Sequence, residues 1–217
     1  MFLLPASQDR NVYLELGIAI GLGSPFFLVQ HHEADIPPVL DALSRYTKGG
    51  LFRTMRKELA GQIEDYDFGV VHFITDLPPA GSQPQYLITG GGLIEDEDFE
   101  GSITDALGSS YPHLQAVSLN QVLGISSGAK TLLEQLVEFI QTSRFAIYRV
   151  DKECSATTFL ALGISIGLDR PFLMMHRSNR EVPLNIRGIG MYQFPNFVTL
   201  ENEIILRHQN FFNRYAG

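Results

Sequence analysis

The stretch Asn11-Val-Tyr-Leu-Glu-Leu-Gly-Ile-Ala-Ile-Gly-Leu-Gly-Ser-Pro-Phe-Phe-Leu-Val29 decides the reading of this chain, because the chain writes it twice. Shifted by 146 positions it returns as Thr157-Thr-Phe-Leu-Ala-Leu-Gly-Ile-Ser-Ile-Gly-Leu-Asp-Arg-Pro-Phe-Leu-Met-Met175. The same ungapped shift sets Ile36-Pro37 on Val182-Pro183 and Tyr46 on Tyr192, with 11 identities between residues 11–46 and 157–192. An offset held over that length is the mark of an internal duplication.

Each copy predicts a short helix, a proline stop and a strand. From Val12 to Leu22 nearly every residue is apolar, and a helix apolar all round is expected in the interior. Gly17 and Gly21, four apart, make a stripe without side chains where another backbone can come close, and both recur as Gly163 and Gly167. Glu15 is the helix's one charge after Arg10. At 100° per residue it falls between Leu22 and Ala19 beside Val12, so its carboxylate is expected among apolar neighbours. An unpaired carboxylate there costs on the order of several kcal/mol, unless Arg10 pairs with it or it faces a wet crevice. The second copy carries Ala161 at this position, so the fold does not require the acid.

Composition bounds the rest. A chain of 217 residues that is 45% hydrophobic has ample material for a packed core. A net charge of -8 opposes binding to a phosphate backbone, which argues against nucleic acid. The single Cys154 excludes an internal disulfide and fits a reducing compartment. The opening Met-Phe-Leu-Leu-Pro has no basic leader, and the apolar helices fall short of the roughly 20 residues that span a bilayer. A cytoplasmic protein without a membrane partner is expected.

Along the chain, Phe2 to Leu4 reads as the end of a strand and Asp9 as a helix N-cap. Phe26 to Gln30 reads as a buried parallel strand, residues 51–66 as an amphipathic helix and residues 68–74 as a further strand. Residues 77–84 have a linker's composition. A complete unit then runs over residues 85–217. It has a strand at 85–89, the loop Gly90-Gly91-Gly92, a helix at 99–107, a strand at 114–119, a helix at 128–142 and a strand at 144–150. The duplicated helix and strand follow, and a helix over 197–214 closes the unit. Alternation of this kind predicts an α/β fold, a parallel sheet with helices on both faces. By the same register residues 1–76 form a partial unit that lacks its opening strand, helix, strand and helix, as expected of the C-terminal part of a longer parent or of a degenerate tandem.

Asn11-Val-Tyr-Leu-Glu-Leu-Gly-Ile-Ala, followed by a strand and by Ile36-Pro37 and Tyr46, resembles the N-V-x-x-E-L-G-x-A helix of the TIR-like and nucleoside 2-deoxyribosyltransferase-like superfamily. The resemblance covers the whole of residues 85–217 and only the C-terminal half of a unit in residues 1–75. It implies a flavodoxin-like three-layer sandwich and chemistry at an N-glycosidic bond. Glu15 matches the family's catalytic glutamate, whose carboxylate attacks the anomeric carbon or stabilises its positive character. Asp151 matches its substrate-binding aspartate, at a strand end where such sheets bind ligands. The two units depart from the pattern in complementary ways. The first keeps Glu15 but has Pro5 in place of Asp151, and the second keeps Gly90–Gly92 and Asp151 but has Ala161 in place of the acid.

Other candidates carry less chemistry. Gly90, Gly91 and Gly92 could present N–H groups to a phosphate, against the repulsion of Glu95, Asp96, Glu97 and Asp98. No G-x-G-x-x-G supports a dinucleotide fingerprint. His31, His32, Glu33 and Asp35 have no recognised ligand spacing and read as a solvated loop, so no metal site is assigned. Cys154 has no neighbouring His, Ser126 and Ser127 have no triad signature, and no cofactor is implied. Two functions are expected to compete. One is a degenerate module that binds a nucleotide or NAD-like ligand, or assembles with itself or a partner through a TIR-like surface. The other is an N-glycosidase or glycosyltransferase acting on NAD or nucleosides through Glu15.

Overall fold

The computed structural model describes residues 2–4, 9–31, 33–43, 46–48, 74, 76–124, 130–183, 186 and 189–217. The helix expected at 51–66 lies outside the described residues, as does nearly all of the strand expected at 68–74. The first part of the chain forms β1 (Phe2–Leu4), α1 (Arg10–Gly21), β2 (Leu28–His31), a 3-10 turn at Pro38–Leu40 and β3 (Tyr46–Lys48). The second forms β4 (Gln85–Thr89), α2 (Asp96–Ser110), β5 (Gln115–Ser118), α3 (Leu119–Gly124), α4 (Leu132–Thr142), β6 (Phe145–Arg149), α5 (Ala156–Gly167), β7 (Phe172–Arg177), β8 (Tyr192–Phe194), α6 (Phe197–Arg207) and α7 (Gln209–Tyr215).

β4 to β8 make one parallel sheet in the order β5-β4-β6-β7-β8, and β1, β2 and β3 make a second parallel sheet in that order. The larger sheet is covered on both faces, which makes the α/β fold a flavodoxin-like three-layer sandwich. Alternation along its strands sends Tyr86, Ile88, Phe145 and Ile147 to one face, against Phe99 and Ile103 of α2, Leu200 and Ile204 of α6 and Phe212 of α7. Leu87, Ala146 and Tyr148 point the other way, into a core shared with α3, α4 and α5. That second core continues through Tyr13, Leu16 and Ile20 of α1 to Leu4 and Leu28 of the smaller sheet.

The duplication is reproduced at the level of single hydrogen bonds. β1 pairs with β2 as Phe2 to Leu28, and 146 residues on Tyr148 pairs with Met174; Val29 pairs with Tyr46 as Met175 does with Tyr192. Asp9 caps α1 by accepting from Asn11 N, and Ser155, its counterpart, caps α5 by accepting from Thr158 N. At the other end Leu22 N donates to Ile18 O and Ser24 N to Ala19 O, matched by Leu168 N to Ile164 O and Arg170 N to Ser165 O. Both closures turn on a left-handed residue, Gly23 at φ 62° and Asp169 at φ 53°. Asp is among the few side chains that tolerate that conformation. The helix therefore ends at this turn, before Pro25.

α1 and α5 lie against each other in parallel, and the contact is reciprocal. A Cβ added at Gly17 would overlap the Leu160 carbonyl oxygen and sit 2.9 Å from Gly163 Cα, while one at Gly163 would overlap the Leu14 carbonyl oxygen and sit 2.9 Å from Gly17 Cα. Gly21 and Gly167 meet Ile164 O and Ile18 O in the same way. Equivalent residues exchanging equivalent contacts define a pseudo-twofold axis along the helix pair. The stripe read from the sequence is thus the place where one copy meets the other.

Some helix boundaries differ from the expectations. The helix expected at 128–142 starts at Leu132, because Thr131 and Glu134 close a capping box: Thr131 Oγ1 accepts from Glu134 N at 3.2 Å and Glu134 Oε2 from Thr131 N at 2.6 Å. The short α3 fills the space before it. The helix expected at 197–214 breaks at His208, and α7 then swings Phe211 and Phe212 onto the Phe145 ring, with centroids 5.5 and 5.8 Å away. The 77–84 segment is tied to α4, with Gly81 N donating to Gln141 O and Gln83 N to Thr142 O.

The glycine contact predicts opposite outcomes for one substitution at two helical sites. Gly17→Ala pushes a methyl group into backbone that cannot rotate away, and should destabilise by roughly 3 kcal/mol. Gly101, inside α2, has nothing within 4 Å of its added Cβ, so Gly101→Ala should stabilise by roughly 0.5–1 kcal/mol. Urea unfolding of the two variants beside the parent checks both signs.

Candidate functional site

The strand order reverses at β4, which has β5 on one side and β6 on the other, so the topological switch point lies beyond the ends of β4 and β6. Gly90–Gly92 follow β4, and Asp151 follows β6. The fold brings these two sequence candidates together. Gly91, at φ 98°, presses on Cys154: a Cβ there would overlap Sγ, and the Gly91 carbonyl accepts from Ser155 N at 2.6 Å.

The donors of this crevice are engaged by the chain itself. Gly90 N donates to Glu100 Oε1 at 3.1 Å, Gly91 N to Thr89 Oγ1 at 3.2 Å and Gly92 N to Asp96 Oδ2 at 2.7 Å. Leu93 N donates to the second Asp96 oxygen at 2.8 Å. Two carboxylates thus occupy the loop N–H groups that a phosphate would need. Burial, and then the neighbouring Asp96 and Glu97, push the Glu100 carboxyl above its usual range against the pull of Gly90 N–H.

Asp151 is wholly buried and is held on both oxygens. Oδ2 accepts from Arg149 Nε at 2.6 Å, and Oδ1 accepts from Arg177 N at 3.0 Å. Arg149, also wholly buried, extends the network by donating Nη2 to Glu95 Oε2 at 3.1 Å, and Arg177 donates Nη1 to Glu95 Oε1 at 2.7 Å. Burial works against the charge on Arg149, and its pairing with Asp151 and Glu95 outweighs that effect. Cys154 beside them is buried, its thiol pushed up to about 12 by burial and then by the Asp151 charge, which keeps it protonated and unreactive near neutral pH.

Glu15 stands apart from this cluster. The helical wheel placed its carboxylate among apolar neighbours, whereas the side chain is exposed and hydrogen-bonds to no described residue. The reason is what surrounds each copy. Ala161 is wholly buried on a helix that α4 covers, with its carbonyl accepting from Tyr148 Oη at 3.1 Å. No described element does for α1 what α4 does for α5, and Phe2 stands where Tyr148 would be. Arg10 donates Nε across the pseudo-twofold to Cys154 O at 3.0 Å.

His31 Nδ1 accepts from Glu33 N at 3.3 Å, a local turn; His32 lies outside the described residues. Among the described residues no group of three His, Cys, Asp or Glu gathers as a metal site, and no helix is long and apolar enough to cross a membrane. Cavities of about 550, 390 and 620 Å³ lie toward the opposite end of the sheet, around Gln85, Lys130 and Phe139, and none is lined by Glu15, Asp151 or Gly90–Gly92.

Sequence reasoning missed Glu95, Glu100, Arg149 and Arg177 as partners. The available signal was Arg149 itself, one charge inside the otherwise apolar run Phe145–Val150, two residues ahead of an Asp. No protein-family model matches the chain, and no curated protein and no solved structure matches it.

Arg177 first and Arg149 second hold the Glu95 carboxyl below the ordinary carboxylate range. A carboxyl with a lower pKa folded than unfolded contributes stability above its unfolded pKa and loses it as pH falls through the folded one. Glu95→Gln should therefore melt below the parent near neutral pH, and the gap should close as pH drops below about 4. Thermal melts of both proteins across that range read it directly.

Proposed function

We propose that the chain is a catalytically silent pair of TIR-like units that acts by assembling with protein partners or with a second copy. The observation that carries this reading is the state of the crevice. Its loop N–H groups are taken by Asp96, Glu100 and Thr89, and Asp151 is tied to Arg149 and to Arg177 N, so neither the glycine loop nor Asp151 is open to a ribose. Ala161 removes the family's acid from this unit, and Glu15 sits on the other copy, exposed and without a hydrogen-bond partner among the described residues to set its orientation. General acid or nucleophilic work requires a carboxylate held by its surroundings, and nothing described holds this one.

The competing reading, an N-glycosidase using Glu15, makes a different prediction. For a silent module, incubation with NAD or a nucleoside should release no base, measured by chromatography. Glu15→Ala should change stability by less than about 0.5 kcal/mol, as for an exposed side chain without partners. Base release by the parent that disappears in Glu15→Ala would overturn the proposal in favour of the hydrolase. Assembly is read separately, by light scattering and by crosslinking of the purified chain.

A further inference from the structure

We propose that Arg149 and Arg177 form a binding site for a phosphate group, and that Glu95 is the internal anion now seated in it. The two arginines come from neighbouring strands and converge on one carboxylate, each taking one of its oxygens, at 3.1 and 2.7 Å. That is the geometry in which paired guanidiniums hold an oxyanion. The Phe197 ring backs both, 5.9 Å from the Arg149 guanidinium and 5.2 Å from that of Arg177, and Phe99 lies 5.9 Å from Arg149 on another side. The aromatic walls lower the local dielectric, which strengthens a charge pair formed beside them.

Two features point beyond a structural ion pair. Arg149 is wholly buried, yet its Nη1 has no hydrogen-bond partner among the described residues, and neither has the buried Arg177 Nε. A carboxylate has two oxygens, and both are already used. A phosphate group brings a third, suited to a donor that Glu95 leaves empty. The charges agree with this reading: Asp151 offsets one arginine, so withdrawing Glu95 leaves one uncompensated positive charge for an anion to meet.

The occupant is also placed so that it can leave. Glu95 rides on the loop after β4, its side chain is 31% exposed, and its neighbour Ile94 is fully exposed. Asp151, by contrast, is wholly buried and accepts from both arginine residues. Swinging Glu95 outward uncovers the guanidiniums without unpacking β6 or β7. A phosphate-bearing ligand then competes with a tethered carboxylate. This holds whichever partner the module assembles with.

The test is the thermal melt of the whole chain in inorganic phosphate against chloride at matched ionic strength, for the parent, for Glu95→Gln and for Glu95→Gln combined with Arg177→Gln. Glu95→Gln should gain a phosphate-dependent rise in melting temperature with an apparent affinity at least about tenfold above the parent's. The added Arg177→Gln should abolish that gain. If Glu95→Gln does not fold, Glu95→Asp, one methylene too short to reach both guanidiniums, takes its place in the same comparison. A phosphate response equal in the parent and the Glu95 variant, or one that survives loss of Arg177, overturns the site.

Discussion

Two helices that touch through their backbones hold this molecule together. Gly17 and Gly21 of α1 meet Gly163 and Gly167 of α5 with no room for a single methyl group, so the helix axes approach more closely than side-chain packing allows. An apolar helix must bury its apolar surface, and here each finds part of its complement in the other copy. Because the contact is reciprocal, it fixes the two sheets on opposite sides of the pair and joins their apolar faces into a continuous core. The equal strand registers, the matched N-caps at Asp9 and Ser155 and the matched left-handed turns at Gly23 and Asp169 all follow from one local solution used twice.

Much of this was legible in the chain itself. The 146-residue offset is a fact of sequence, and it carried with it the helix, the strand that follows and the glycine stripe. The alternation of strand and helix patterns after residue 85 led to a parallel sheet because each apolar run has the length and flanking turns of a buried strand. Glu15 marks where that reasoning stops. A helical wheel describes the neighbours on one helix, whereas exposure depends on the elements packed around it. α4 covers α5, and no described element does the same for α1.

The crevice shows a second limit. In sequence the acids from Glu95 to Asp98 are charges that repel an anion, and in the folded chain Asp96 instead takes the place of one on the loop. A sequence displays charge, and it does not display which donor the charge will meet. Arg177 is 82 residues from Glu95, so no local pattern announces their bond. Arg149 was nearer to being readable. An arginine inside a wholly buried strand needs a partner, and the nearest carboxylate, Asp151, is that partner.

Pairing through α1 and α5 on one polypeptide has a consequence for how the molecule changes over time. Two separate chains meeting on a twofold axis hold together only above a certain concentration, and any change in one is repeated in the other. When both halves share a backbone the encounter is intramolecular, and dilution no longer parts them. Each half can then drift alone. Glu15 against Ala161 and Gly23 against Asp169 are differences that a symmetric dimer of identical chains cannot hold, and a fused one can.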